Sequence, residues 1–255
     1  MPSSVEVTET LWVLAVMFFA ALVQAVGGFG FALMAVPLAA IAVDLELAVI
    51  AVSIGSLFNV TMLCVRTIRQ VDREVAVRFN VAAFLGMPIG LAVLELTPQR
   101  PLKISLGVVI VVATFALMRG SAGLRTREGG RPTPRRWIEL AAGAISGVLS
   151  TATGTNGPPL VLALQMRKVS PEMFRATLAF TFAVSGAISM ALFVGAGMVT
   201  RHAVFLAAMA VPLIVVGQRV GLQLQSQLSE KRFDRLVYVL LFVSGVSVAA
   251  SGLIG

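Results

Sequence analysis

Apolar runs of about 17 to 22 residues recur from Leu11 to Gly255, each bounded by a short polar stretch, and that is the length a helix needs to cross a membrane. The pattern predicts single spans over Val49 to Val65, Phe79 to Leu94 and Ile104 to Met118, then over Ala176 to Gly195, Ala203 to Gln218 and Leu236 to Leu253. Two apolar segments, Leu11 to Val43 and Trp137 to Met166, are broken internally. The second contains "STATGTNGPPLVLAL" from Ser150, with three threonines, an asparagine, two glycines, two prolines and no charge. Its arms have about 13 and about 9 residues, roughly 20 and 14 Å at 1.5 Å per residue, so neither crosses a core of about 30 Å. "VGGFGFALMAVPL" at Val26 to Leu38 breaks the first segment between longer arms. Both segments read as re-entrant hairpins with their breaks inside the membrane.

Composition agrees. Hydrophobic residues fill 58% of 255 positions and charged residues 13%, with mean hydropathy +0.94, too little polar surface to cover a soluble globule. The class is all-α integral membrane, with no soluble domain expected. The opening "MPSSVEVTET" has no Lys or Arg, unlike the basic start of a cleavable signal peptide, so the first run is expected to stay. A single cysteine, Cys64, excludes an internal disulfide and leaves a thiolate metal site without further ligands.

A net charge of +8 would suggest nucleic acid in a soluble protein, but here the arginines sit at the ends of apolar runs and report topology, so no nucleic-acid partner is expected. Of 20 Lys and Arg, 17 fall within Arg66 to Arg78, Arg119 to Arg136, Arg167 to Arg175 and Arg219 to Arg235, which the positive-inside rule assigns to the cytoplasm. Arg100, Lys103 and Arg201, the acidic N-terminus and "DLE" at Asp44 to Glu46 go outside, and both chain ends with them. Each hairpin then enters and leaves by one face. "RGSAGLRTREGGRPTPRR" reads as a solvated cytoplasmic linker, residues 119–136, between residues 1–118 and residues 137–255.

The two parts follow one order: hairpin, turn, three spans. The breaks are followed by Pro37 and Pro159, and the third segments carry Pro88 and Pro212, with Gly86-x-x-x-Gly90 and Gly217-x-x-x-Gly221 beside them. Small residues at that spacing let helix backbones approach. One part begins outside and the other inside, so the expectation is two inverted-topology repeats, each a broken hairpin plus three transmembrane helices, an arrangement found in secondary transporters that bind substrate at helix breaks.

Backbone broken inside a membrane leaves N–H and C=O groups unpaired unless protein or a watery cavity satisfies them. "TATGTNGPP" offers three hydroxyls, a carboxamide, glycine amides and prolines suited to the first turn of the next half-helix, whose free N–H groups favour an anion. The first break offers bare backbone at Gly27, Gly28 and Gly30, but no hydroxyl or carboxamide. A small oxyanion fits such neutral donors better than a metal cation does.

"GVLSTATGTNGPPLVLAL", "GGFGFALMAVPL" and "FRATLAF" resemble the TauE/SafE family of sulfite and sulfonate exporters, with "GTNGPP" the most specific element. The resemblance spans nearly the whole chain. It implies a multi-pass protein of the bacterial cytoplasmic membrane, not an enzyme, that exports sulfite or an organosulfonate without a cofactor or metal. It places Thr153, Gly154, Thr155, Asn156, Gly157 and Pro159 of the second motif, and Gly28, Gly30 and Pro37 of the first, at the transport site. The expected partners are the small anion and the lipid bilayer, with a homodimer open; a channel or an importer of another anion is the alternative.

Arg175 heads "RATLAF" and either screens the anion or anchors the helix at the membrane surface. Gln24, Ser53, Asn59, Thr177, Thr181 and Ser185 lie within apolar runs, some at a spacing that lets them face the breaks, while most such residues tie helices together. Glu95 and Glu139 sit at span edges and are expected to be solvated. An intramembrane serine hydrolase pairing Ser150 with His202 is disfavoured, because the two fall on opposite faces and no G-x-S-x-G elbow surrounds a serine.

Overall fold

A computed structural model describes residues 4–125, 136–167 and 169–225, with further helical positions between Val239 and Leu253. Every regular element among the described residues is helical: α1 (Ser4–Gly27), α2 (Phe31–Ala39), α3 (Leu45–Thr67), α4 (Arg73–Leu96), α5 (Gln99–Arg125), α6 (Arg136–Thr153), α7 (Gly157–Gln165), α8 (Pro171–Gly195) and α9 (Arg201–Gln225), with a single 3-10 turn at Ile68–Gln70. α1, α3, α4, α8 and α9 are long and apolar enough to cross a membrane, which makes this a multi-pass helical membrane protein. The predicted spans up to Gln218 fall inside α3, α4, α5, α8 and α9. α5 carries the start of the arginine-rich linker as far as Arg125, and residues 126–135 lie outside the described residues, as does most of the predicted span from Leu236 to Leu253.

Both hairpin segments are broken, and both breaks are shorter than the sequence suggests, covering Gly28 to Gly30 and Gly154 to Asn156. α6 keeps its helix through Ser150, Thr151 and Thr153 because their hydroxyls find acceptors: Thr153 Oγ1 donates to Leu149 O at 2.9 Å and Thr151 Oγ1 to Met87 O at 2.7 Å. α6 therefore has 18 residues instead of the shorter arm expected. α1, with 24 residues, corrects the first hairpin more strongly. At 1.5 Å per residue it is about 36 Å long, enough to span by itself. Trp12 Nε1 donates to Leu38 O at 2.8 Å, so α2 returns along α1 only as far as Trp12 and the surplus turns precede that point.

The tips remain at depth. Gln24, in the last turn of α1, is bonded to Asn59 of α3, about 21 Å along that helix from Leu45 and about 12 Å short of Thr67. Asn156 is bonded to Ser185 of α8, about 21 Å from Pro171 and about 15 Å short of Gly195.

α4 lies along α6, and α9 lies along α1. In each pair two glycines four residues apart face two carbonyls four residues apart: Gly86 and Gly90 meet Ala144 O and Val148 O, while Gly217 and Gly221 meet Phe18 O and Leu22 O. A methyl group at any of the four would collide with backbone, so the approach needs glycine. α3 packs against α8 and α9, and α8 also touches α4.

The charged residues separate by end. Asp72, Arg78, Glu139 and Arg167 form one cluster, with Glu139 accepting from Arg78 Nη1 at 3.2 Å and from Arg167 Nε at 2.8 Å, Arg167 Nη1 reaching Asp72 Oδ2 at 3.1 Å, and Arg78 also pairing with Glu74. Glu139 is 1% exposed, not solvated as its position at a span edge suggested. The start of α6 is covered by α4 and by the residues after α7, and two guanidinium groups replace the lost water. Asp44, Glu46, Gln99, Thr200 and His202 line a separate surface pocket.

Candidate functional site

Gly28 and Gly30 have φ values of 78° and 103°, a left-handed backbone that glycine enters without the Cβ clash of other residues. They turn the chain from α1 into α2 within three residues. Gly154, at φ 68°, does the same after α6. The second break lies against the first part of the chain: a Cβ on Gly154 would stand 3.2 Å from Val36 Cγ2 and 3.5 Å from Ser53 Oγ. Gly157 is flanked by Phe29 of the first break and Phe182 of α8.

The two breaks close on one cavity. Gln24, Phe29, Gly30, Phe31, Ala32, Leu33, Ser56 and Val60 line it from one side, and Thr155, Asn156, Gly157 and Phe182 from the other. Its volume is about 30 Å³, enough to hold water. None of the described residues that line it is charged.

The available donors follow from the hydrogen bonds already made. The first helical bond of α2 runs from Met34 N to Gly30 O, so the N–H groups of Phe31, Ala32 and Leu33 precede the ladder, at the positive end of the half-helix. α7 is poorer in such groups than its position suggests, because Pro158 and Pro159 occupy its first turn without an N–H, leaving that of Gly157. Thr153 gives its proton to Leu149 O, so in the 2.7 Å pair between Thr153 Oγ1 and Thr155 Oγ1 it is Thr155 that donates. Both threonine protons are thus spent within the break. Asn156 donates one amide hydrogen to Ser185 Oγ at 2.8 Å and keeps a second, while its backbone carbonyl oxygen accepts from Ser146 Oγ at 2.6 Å. Pro37 is buried inside α2, and the stem of Arg175 passes Gly28, where an added Cβ would stand 3.1 Å from Arg175 Cγ.

A model of the family described as "Sulfite exporter TauE/SafE" matches residues 13–248. The chain belongs to the TauE/SafE family. Its curated relatives include the "Probable inner membrane transporter protein TsaS" of Comamonas testosteroni, 30% identical over 130 residues, and the "Probable sulfite/organosulfonate exporter TauE" of Cupriavidus necator, 22% identical over 200 residues. The first match covers 49% of this chain and 54% of TsaS, about half of that relative's length; the second covers 77% of this chain and 76% of TauE. No solved structure matches the chain.

TauE/SafE proteins are membrane transporters. Among the described residues Ser150 Oγ lies 2.9 Å from Ser189 Oγ, while His202 lines the separate surface pocket. Of the residues singled out from the sequence, Gly30, Thr155, Asn156 and Gly157 line the cavity; Gly28, Thr153, Gly154 and Pro159 lie within the breaks or beside them; Pro37 and Arg175 are not among its lining residues. Gln24 and Asn59 are among the polar residues that the sequence reads mostly as ties between helices, some of them spaced to face the breaks; the structure ties the two together and places Gln24 at the cavity, one helical turn before Gly28.

Proposed function

We propose that this protein is a secondary transporter that exports a small sulfur oxyanion, sulfite or an organosulfonate, across the cytoplasmic membrane by alternating access. The observation that carries the reading is the meeting of both breaks at one cavity lined by uncharged donors and by the first turn of α2. Helix N-termini and amide hydrogens favour an anion, and the lining has no carboxylate to attract a cation. The names of the relatives, a sulfite/organosulfonate exporter and an inner membrane transporter, point the same way. In this reading Gly30, Asn156 and Gly157 contact the anion; Gly28, Thr153, Gly154, Thr155, Pro37 and Pro159 shape the breaks, and Arg175 stands on the cytoplasmic approach.

Two inverted repeats underlie the cycle. This reading is supported by the reciprocal glycine packing of α4 on α6 and α9 on α1, and by the matched ties from Gln24 to Asn59 and from Asn156 to Ser185. The tight contacts pair helices from opposite repeats, so the moving bodies are α1 with α9 and α4 with α6, and not one repeat against the other. An interior-negative potential of about 100 mV drives a monoanion outward with about 2.3 kcal/mol, enough to export without coupling. A thermal-shift screen of the purified protein against sulfite, sulfate, short sulfonates and carboxylates tests the substrate class: sulfite or a sulfonate should raise the melting temperature, because a ligand that binds only the folded state stabilises it. A rise with carboxylates alone would contradict the sulfur-oxyanion assignment.

A further inference from the structure

Three buried carboxamides on three helices form a chain that ends at the cavity. Gln218 Nε2, on α9, lies 2.9 Å from Asn59 Oδ1 and 3.4 Å from the backbone carbonyl oxygen of Asn59; Asn59 Nδ2, on α3, lies 2.8 Å from Gln24 Oε1, on α1. All three side chains are at most 5% exposed. The sense of the chain follows from its far end. Only an NH2 group, not an amide oxygen, sits favourably against both a backbone carbonyl and a side-chain carbonyl, so Gln218 must donate. Asn59 Oδ1 then accepts, Asn59 Nδ2 donates, and Gln24 Oε1 accepts. Each amide has its orientation set by the one behind it, and what remains at the end is the NH2 group of Gln24.

That group belongs to a side chain that is 3% exposed and lines the cavity, and its nitrogen makes no hydrogen bond to any of the described residues. Its nitrogen is not one of the sealed unpaired atoms, which among the described residues are Asn80 Oδ1 and Thr181 Oγ1, so the NH2 group opens onto the cavity and can donate there. Beside it lie the first turn of α2, the second amide hydrogen of Asn156 and the N–H of Gly157. We infer that Gln24 is an oxyanion-binding residue of the transport site, and that Asn59 and Gln218 are positioning residues that hold its NH2 group toward the anion. The inference rests on the oxyanion reading proposed above. It gives the first hairpin the side-chain donor that its glycine motif lacks, opposite Asn156 of the second, and it binds the anion without a fixed positive charge. A neutral donor set can release its ligand on either side, whereas a buried guanidinium would be left unpaired after each release.

A purely structural role for the three amides predicts different behaviour from a directional one. In Asn59→Asp the carboxylate accepts from Gln218 as before and also from Gln24, which must turn its NH2 group back toward α3 and its carbonyl oxygen toward the cavity. All inter-helix hydrogen bonds survive while the sense of the last one reverses. Gln24→Met keeps length and removes the donors. Binding of sulfite and of methanesulfonate to the purified full-length protein, measured by calorimetry, should weaken about tenfold or more in both variants, while monodisperse elution persists. Wild-type affinity in either monodisperse variant overturns the assignment of Gln24; should Asn59→Asp fail to elute as a single species, Gln24→Met decides alone. A wild-type protein that binds neither probe contradicts the oxyanion reading itself, a result distinct from loss of binding in the variants.

Discussion

Asn156 Nδ2 stands 2.8 Å from Ser185 Oγ, tying the second chain break to α8 at a depth of about 21 Å from the start of that helix. The same carboxamide has a second hydrogen and lines the cavity, so it both holds the hairpin and faces the proposed anion. Asn156→Asp separates the two roles. The Ser185 hydroxyl can donate to a carboxylate and preserve the tie, while the donor toward the cavity becomes a negative oxygen. Losing one hydrogen bond to a charged group costs about 1.5 to 3 kcal/mol, and about 1.4 kcal/mol is a decade, so sulfite affinity by calorimetry should fall at least about tenfold. Thr153→Val and Thr155→Val should each do less, because those protons go to Leu149 O and to Thr153. Unchanged affinity in a monodisperse Asn156→Asp protein would remove Asn156 from the site.

Glu139 supplies the second prediction. It is buried between Arg78 and Arg167, whereas Glu95 is exposed. Glu139→Ala leaves two partly buried guanidinium groups without their shared carboxylate, a change that costs about 3 to 5 kcal/mol in buried pairs and somewhat less here because both arginines keep some solvent contact. Glu95→Ala should stay within about 0.5 kcal/mol. Thermal melts in one detergent compare the two, and equal melting temperatures would mean the cluster contributes nothing to stability.

What the sequence shows clearly is local. Gly154, Asn156 and Pro158 interrupt an apolar run, and Gly28 with Gly30 does the same, because left-handed glycine and helix-starting proline leave their mark on the residues themselves. The extent of each break is not local: the threonines before Gly154 stay helical because their hydroxyls reach Leu149 O and Met87 O, and the acceptor on Met87 comes from another helix. Asn59 is 35 residues from Gln24 and 159 from Gln218, so no reading along the chain joins them. The burial of Glu139 is hidden in the same way, since Arg78 and Arg167 are 61 and 28 residues distant. The helix α1 begins at Ser4, ahead of the apolar run from Leu11, because threonine and glutamate are compatible with helix while hydropathy marks only the apolar turns.

The glycine contacts give a third prediction. Gly86→Val and Gly217→Val each drive a branched side chain into the backbone of the neighbouring helix, and both should abolish monodisperse elution or lower the melting temperature sharply. Gly195→Ala, at the end of α8 with nothing within 4 Å of the added methyl, should leave both unchanged. Tolerance of valine at Gly86 and Gly217 alike would contradict the close pairing of α4 with α6 and of α9 with α1.

Orientation is tested by labelling. In a Cys64→Ser background, Asp44→Cys should react with an impermeant maleimide on intact cells, and Arg69→Cys only after the membrane is opened; both native side chains are exposed. The reverse pattern would place the cluster around Glu139 outside and invert the proposed direction of the cavity.

Efflux of sulfite from proteoliposomes, with a K⁺/valinomycin potential set across the membrane, tests the central claim most directly. Release should require the protein, saturate with internal sulfite, speed up when the interior is made negative, and largely disappear in Asn156→Asp. Release that needs no protein, or that follows a pH or Na⁺ gradient and ignores the potential, would contradict an uncoupled oxyanion exporter working at the two chain breaks.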